Sequence, residues 1–333
     1  MRLVQLQHLD GRRAVAIVDE PALRCLRSVP AAYDLARRAI AAGQSLDDAA
    51  AADADGDCLE YDAVYSGNSD WKLLACLDHP QEQARCFVSG TGLTHQASAA
   101  NRNAMHESDA PVEMTDSMQV FQWGIEGGKP APGKIGVQPE WFYKGSGAAL
   151  AAHGSPLEVP DFADDGGEEP EIAGLYVNDD SGTPRRVGMC VGNEFADHVM
   201  EKKSYLYLAP SKLRRCAIGP ELVTAPDFTN VTGHVRVERG DTTIWERDVM
   251  SGEANMCHSI ANLEYHHFKY PGHRQPGDVH VHFFGADAFS FGDGVALDDG
   301  DTMEVAWNGF GRPLRNPIRI ASEPPKMLNI EPL

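Results

Sequence analysis

Positive charge is scarce in this sequence. Lys and Arg number 29 against 49 Asp and Glu, a formal net charge of −20. Repulsion from phosphate across such a surface argues against nucleic acid or an anionic membrane as a partner. A small anion stays admissible wherever a local island of Lys, Arg or metal ion offsets the balance. Long apolar runs are also missing, and none approaches the roughly 18 residues that would span a bilayer. The seven cysteines, Cys25, Cys58, Cys76, Cys86, Cys190, Cys216 and Cys257, are odd in number and form no CxxC pair. The opening MRLVQLQHLDGRR has no apolar signal-type segment. Free thiols in a reducing cytoplasm are therefore expected, without a disulfide framework. A serine hydrolase is set aside because no GxSxG elbow occurs, and a P-loop is absent too.

What is present is enough apolar material, 42% of 333 residues, for one large or two modest domains. MRLVQLQHL and RRAVAIVDE alternate on either side of Asp10-Gly11, which predicts a hairpin over residues 1–20. The Ala-rich stretch 31–52 has helical spacing. Residues 1–75 read as a small N-terminal α+β unit concerned with packing or dimer contacts, and 76–333 as the main domain. From residue 85 short apolar runs (CFVSGTGL, IAGLYV, RVGMCVG, HVRVERG, DVHVHFFG, TMEVAWNGFG) alternate with Gly and Pro. Helical patterns are few, at 96–107, 195–202 and 251–265. The expectation is a mixed, β-rich domain of sandwich or barrel type with peripheral helices.

Four groups of residues could carry chemistry. Glu169 and Glu171 flank Pro170 directly before IAGLYV, and on extended chain i and i+2 side chains share a face. Two carboxylates on one face repel unless a cation lies between them. With Glu194 after the next strand they make a hard oxygen site suited to Mg²⁺ or Mn²⁺; the alternative is a solvated acidic loop. Lys212, in APSKLRRCAIGPEL, is a base or an enolate partner if a metal is near, and a surface lysine if not, as Arg214 and Arg215 beside it would suggest. The segment Gly90-Thr91-Gly92-Leu93-Thr94-His95, with Ser98 and Arg102 following, does not fit a dinucleotide fingerprint. It could hold a substrate carboxylate, as could Lys144. Finally, His280 and His282 form HxH, with His258, His266 and His267 upstream. They are either zinc or iron ligands or core and surface histidines.

Taken together, these fragments resemble the fumarylacetoacetate hydrolase superfamily over about residues 85–320. PEWFYKGSGAALAAHGSPLEVPD resembles its strand with a Phe-x-Lys-like step. EEPEIAGLYV resembles the ExE metal strand, VGNEFADHVME the stretch with the third carboxylate, and SKLRRCAIGPEL the catalytic-lysine segment. The C-terminal QPGDVHVHFFGADAFSF and LDDGDTMEVAWNGFGRPLRNPI resemble its Pro-Gly-Asp and Gly-Asp turns and its Asn-Pro ending.

The resemblance implies a β-sandwich or roll domain, a homodimer, and Mg²⁺ (or Mn²⁺) held by Glu169, Glu171 and Glu194 with Lys212 close by. Family members usually carry Asp where Glu194 stands, and the extra methylene adds about 1.5 Å of reach. Phe283-Phe284-Gly285 replaces a Gly-Thr-Pro or Gly-Thr-Gly step. Where the hydrolytic branch has a water-activating His and Glu, this chain has Ser98 and Asn101, with His106 and Glu107 nearby as possible substitutes. GLTHQASAANR, the Glu194-to-Lys212 spacing and YLYLAPSK instead resemble the branch that dehydrates 2-keto-3-deoxy sugar acids. The implied activity is a hydro-lyase of pentose degradation, taking a 2-dehydro-3-deoxy-pentonate to 2,5-dioxopentanoate. Lys212 or a metal-bound hydroxide would be the base and His95 or Glu107 the acid. Thr94, Ser98, Arg102, Lys144 and Gly285 would meet the anionic 2-keto acid. The alternatives are an acylpyruvate or 1,3-diketo-acid hydrolase using His106 and Glu107, and a sugar-acid-binding protein without catalysis.

Overall fold

The computed structural model describes residues 1–96 and 115–333. The expected hairpin forms: Arg2–His8 pairs antiparallel with Arg13–Asp19 around Asp10-Gly11, and Gly11 takes a φ of +92° that favours glycine. The Ala-rich stretch is two helices rather than one. Ala32–Ala42 ends at Gly43 in the left-handed conformation, and Ser45 starts Leu46–Asp53 by accepting the Asp48 N–H. Strand Arg2–His8 also pairs with Leu222–Val223, so the N-terminal strands and the later chain share one large sheet.

The centre of that sheet is an antiparallel pair, Pro170–Asn178 with Pro184–Asn193. Every residue of Pro170–Asn178 is buried. This follows from its having apolar partners on both faces. Ala173, Leu175 and Val177 pack in a core with Leu3, Leu35 and Val281. Ile172, on the opposite side of the pleat, joins Val191, Phe284, Met303, Val305 and Trp307 in a second core. Val279–Phe283 lies beside Pro170–Asn178, antiparallel, and is in turn parallel to Cys86–Gly90.

The second core is closed by a five-stranded sheet in the order Thr242–Ser251, Val231–Arg239, Thr302–Trp307, Leu314–Ile320, Leu157–Val159. The architecture is thus β-rich with mixed sheets, as expected. Two expected helices are shorter than the pattern suggests. His198–Lys203 begins only after Asp197, whose carboxylate accepts the Met200 N–H. Ile260–Phe268 begins after Ser259, because strand Thr242–Ser251 runs into the 251–265 stretch and is followed by a turn at Gly252, φ +93°.

One polar contact ties the two sheets together at the end of the central strand. Trp307 Nε1 donates to the Glu171 carbonyl at 3.0 Å, and the indole is buried. Trp307→Phe keeps most of the packing but leaves that carbonyl without its donor. The expected loss is about 1–3 kcal/mol in a urea unfolding titration.

Candidate metal centre

The strand register brings the carboxylates together. Pro170 pairs with Asn193 and Glu171 with Gly192, and beyond the pair the Glu194 N–H donates to the Glu169 carbonyl at 3.0 Å. Glu194 therefore leaves its strand opposite Glu169, while alternation puts Glu171 on the same face as Glu169. The three carboxylates are buried and offer oxygens within 4.8 Å of one another. The three carboxylates grouped from the sequence are thus brought together and buried, whereas Asp161 and Asp164 ahead of them are exposed.

Lys212 is fully buried at the end of the short helix Leu208–Lys212. Its Nζ lies 2.5 Å from Glu169 Oε1, 2.7 Å from Glu194 Oε2 and 3.7 Å from Glu201 Oε2. The Phe142 ring covers it at 4.9 Å. Arg214, which beside Arg215 looked like a surface cation, is buried and pairs with Asp197 at 2.9 Å. Lys144 is also buried. It donates to the Glu194 and Phe195 carbonyls at 3.2 and 2.6 Å, and lies 2.5 Å from Glu194 Oε1. Glu194 is thus held from two sides, and its longer side chain is what lets it reach both lysines.

Glu171 has a different support. Its Oε2 accepts the Gly285 N–H at 2.6 Å. Gly285 has φ +97°, and a Cβ there would stand 2.0 Å from Thr94 Oγ1, so only glycine allows this approach. Thr94 Oγ1 gives its single proton to the Phe284 carbonyl at 2.7 Å and lies 2.9 Å from His95 Nδ1. The hydroxyl must then accept from Nδ1–H, which leaves the His95 Nε2 lone pair as an acceptor. That Nε2 is buried and has no hydrogen-bond partner among the described residues. Burial lowers the His95 pKa to about 4, so the ring is neutral at pH 7. Leu93, just before this pair, is in the left-handed region at φ +53°, a sparsely populated conformation that recurs at ligand-facing loops.

Ser98, Arg102, His106 and Glu107 lie outside the described residues. The HxH histidines are buried on Val279–Phe283. His280 Nδ1 lies 2.9 Å from His267 Nε2, and His282 Nε2 lies 2.7 Å from Thr91 Oγ1. Among the described residues, the glutamate trio is the group of three or more candidate ligands that converges. Three buried residues near the trio have roles that the sequence reading did not assign. Glu201 faces Lys212. His198 faces Glu169 at 3.1 Å. Glu168 accepts from the Ser290 N–H and hydroxyl at 2.6 and 2.8 Å. The helical i, i+3 spacing of His198 and Glu201 was the available signal.

Charge decides what the pocket can hold. Four buried carboxylates, Glu169, Glu171, Glu194 and Glu201, surround two ammonium groups, Lys144 and Lys212. Burial, and after it repulsion from Glu194 and Glu169, pushes the Glu171 carboxyl well above its usual range. Burial lifts Glu194 to about 7 against the pull of both lysines. Burial also disfavours the Glu169 carboxylate, but Lys212 and His198 outweigh it and hold Glu169 well below the usual range. Once all four are ionised, the carboxylates exceed the two ammonium groups by two negative charges, which suits a divalent cation among hard oxygen donors.

Without metal, the folded chain carries protons on Glu171 and Glu194 that the unfolded chain releases above the ordinary carboxyl pKa. Metal-free stability should therefore fall as pH rises through about 7. Mg²⁺ must displace those protons, so its affinity and its stabilising effect should grow between pH 6 and pH 8. Thermal melts with and without Mg²⁺ at the two pH values read both trends. A second check is Gly285→Ala, which pushes the N–H off Glu171 and should weaken Mg²⁺ binding by about 10-fold or more.

No protein-family model matches the chain, and no curated protein does. Solved structures match over nearly the whole length. A 2-keto-3-deoxy-D-arabinonate dehydratase complexed with magnesium and 2,5-dioxopentanoate aligns at TM-score 0.71 and 19% identity, covering 97% of this chain and 100% of that one. A 5-carboxymethyl-2-hydroxymuconate delta-isomerase from Mycobacterium smegmatis aligns at TM-score 0.58 and 18% identity, covering 97% and 100%. A 2-hydroxyhepta-2,4-diene-1,7-dioate isomerase from Mycobacterium marinum aligns at TM-score 0.59 and 18% identity with the same coverage. The chain has the fold of these proteins and aligns better with the dehydratase than with the two isomerases.

Proposed function

We propose that the chain is a divalent-metal-dependent hydro-lyase that dehydrates a 2-keto-3-deoxy sugar acid. Its substrate would be a 2-dehydro-3-deoxy-pentonate, the L-arabinonate or its D-epimer, and its product 2,5-dioxopentanoate. The observation that carries this reading is the buried Glu169, Glu171 and Glu194 trio bridged by Lys212, set in a fold shared with a dehydratase complexed with magnesium and that product. The isomerase likenesses are weaker, and the C–C hydrolase alternative relies on His106 and Glu107, so no described residue favours it.

Glu169, Glu171 and Glu194 would hold Mg²⁺ or Mn²⁺, which when bound supplies the positive charge that acidifies protons beside a ketone. The protein's own groups do the rest. Lys144 and the Gly285 N–H fix Glu194 and Glu171 in place. Lys212 offers an ammonium group to developing negative charge, or a proton acceptor once deprotonated. The neutral His95, with Nε2 as a lone-pair acceptor, fits removal of a proton better than the donor role first expected for it. Glu107 is then the proposed acid for the departing hydroxyl, and Thr94, Ser98 and Arg102 the proposed substrate contacts. With the divalent charge added to four carboxylates and two ammonium groups the pocket is neutral, so an anionic keto acid is admitted in spite of the net charge of −20.

The carboxylates, Lys144 and Lys212 all fall within 76–333, which supports reading that part as the catalytic unit, while the strands and helices of 1–75 share its large sheet and its core. A homodimer rests on the family resemblance. A cytoplasmic setting is supported by the seven free thiols. No helix among the described residues is long and apolar enough to cross a membrane.

The deciding assay offers 2-keto-3-deoxy-L-arabinonate, its D-epimer and acetylpyruvate separately, with Mg²⁺ present. The expected result is 2,5-dioxopentanoate from one pentonate. Glu171→Gln should reduce that activity by more than the ~10–100-fold typical of an outer-shell change. Pyruvate released from acetylpyruvate alone would replace this reading with C–C hydrolysis, and no turnover of any of the three would favour a binding protein.

A further inference from the structure

We propose that His198 is a positioning residue that sets which oxygen of Glu169 faces the metal, a role that rests on the metal reading above. Glu169 Oε1 takes both Lys212 Nζ at 2.5 Å and His198 Nε2 at 3.1 Å. An ionised carboxylate can only accept, so His198 carries its proton on Nε2. Two donors fill the lone-pair directions of Oε1 and leave Oε2 as the ligand oxygen. Lys212 alone could not do this, because it gives Glu169 Oε1 one hydrogen bond and fills one lone-pair direction, its next N–H going to Glu194.

The mounting of the ring is specific. His198 opens its helix with its N–H on Asp165 Oδ1 at 3.0 Å. The imidazole lies nearly parallel to Phe289, with centroids 4.8 Å apart at 6°, and to Phe291 at 5.2 Å and 26°. Its other edge rests against Gly167, where a Cβ would stand 2.8 Å from Nδ1. Nδ1 is buried and has no hydrogen-bond partner among the described residues. A buried imidazole with one nitrogen unsatisfied is a poor choice as filler, since phenylalanine would pack among the same rings without an orphaned polar atom. Among the described residues the single polar attachment of this ring is Glu169, and orienting that carboxylate is the function that accounts for it. Outer-shell partners of this kind commonly change metal affinity by about 10–100-fold.

The test is calorimetric titration of Mg²⁺ and of Mn²⁺ into wild type, His198→Phe and His198→Gln. The phenylalanine keeps the stacking and removes the donor, while the glutamine amide restores an N–H near the Nε2 position. His198→Phe should remain folded by circular dichroism and bind at least about 10-fold more weakly, and His198→Gln should recover most of the loss. Should His198→Phe fail to fold, Gly167→Ala, which crowds the Nδ1 edge and tilts the ring off Glu169, should show the same weakening. Wild-type affinity in His198→Phe, or in Gly167→Ala where that variant is the one read, would overturn this proposal while leaving the metal reading intact. Equal losses in the phenylalanine and glutamine variants would overturn it too, because ring shape rather than the hydrogen bond would then matter. No divalent binding by wild type would overturn the metal reading itself, and this proposal with it.

Discussion

Excess negative charge buried in one place governs this structure. Four carboxylates meet two ammonium groups in a region shielded from water, where unpaired ions are penalised by several kcal/mol each. The chain answers with every local donor it can supply: Lys212 between Glu169 and Glu194, Lys144 under Glu194, His198 on Glu169, and the Gly285 N–H on Glu171. With all four carboxylates ionised, the two ammonium groups leave the charge of one divalent cation uncompensated.

The fold serves that concentration of charge. The fully buried central strand begins where its pairing with Pro184–Asn193 ends, so Glu171 stands on the sheet and Glu169 and Glu194 stand one residue beyond its paired strand ends. The five-stranded sheet reaches the same spot through Trp307, whose indole holds the Glu171 carbonyl. Gly285 meets Glu171 at a positive φ that glycine adopts without strain, while Leu93, just before Thr94 and His95, is a non-glycine residue at positive φ and bears a local cost. The packing energy of two apolar cores supports this strained, highly charged end of the sheet.

Much of this was legible in the sequence, for local reasons. An i, i+2 pair of glutamates before an apolar run marked Glu169 and Glu171 as one shared face, but a solvated loop fitted the spacing equally until the structure showed them buried. Glu194 joined them as a third carboxylate at the next strand's end, whereas Lys212 alone read as well as a surface lysine until the resemblance gave it a place. The hairpin was readable from Asp10-Gly11, whereas the break in the Ala-rich stretch depended on Gly43 taking a left-handed conformation, which periodicity does not reveal. His198, Glu201 and Glu168 were not found, because their importance comes from burial and distant partners. Ser290 lies 122 residues from Glu168. A six-residue helix offers too little pattern to show which face of His198–Lys203 points inward. Arg214 was misread because a neighbouring Arg215 mimics a solvated pair, while its real partner is Asp197.

The account stands or falls on where a divalent ion goes. Anomalous diffraction from crystals of the protein loaded with Mn²⁺ answers this without reference to any substrate. The account predicts one strong anomalous peak bonded to carboxylate oxygens of Glu169, Glu171 and Glu194, with Lys212 adjacent. A peak among His267, His280 and His282 instead, or a trio that binds no manganese at millimolar concentration, would contradict it.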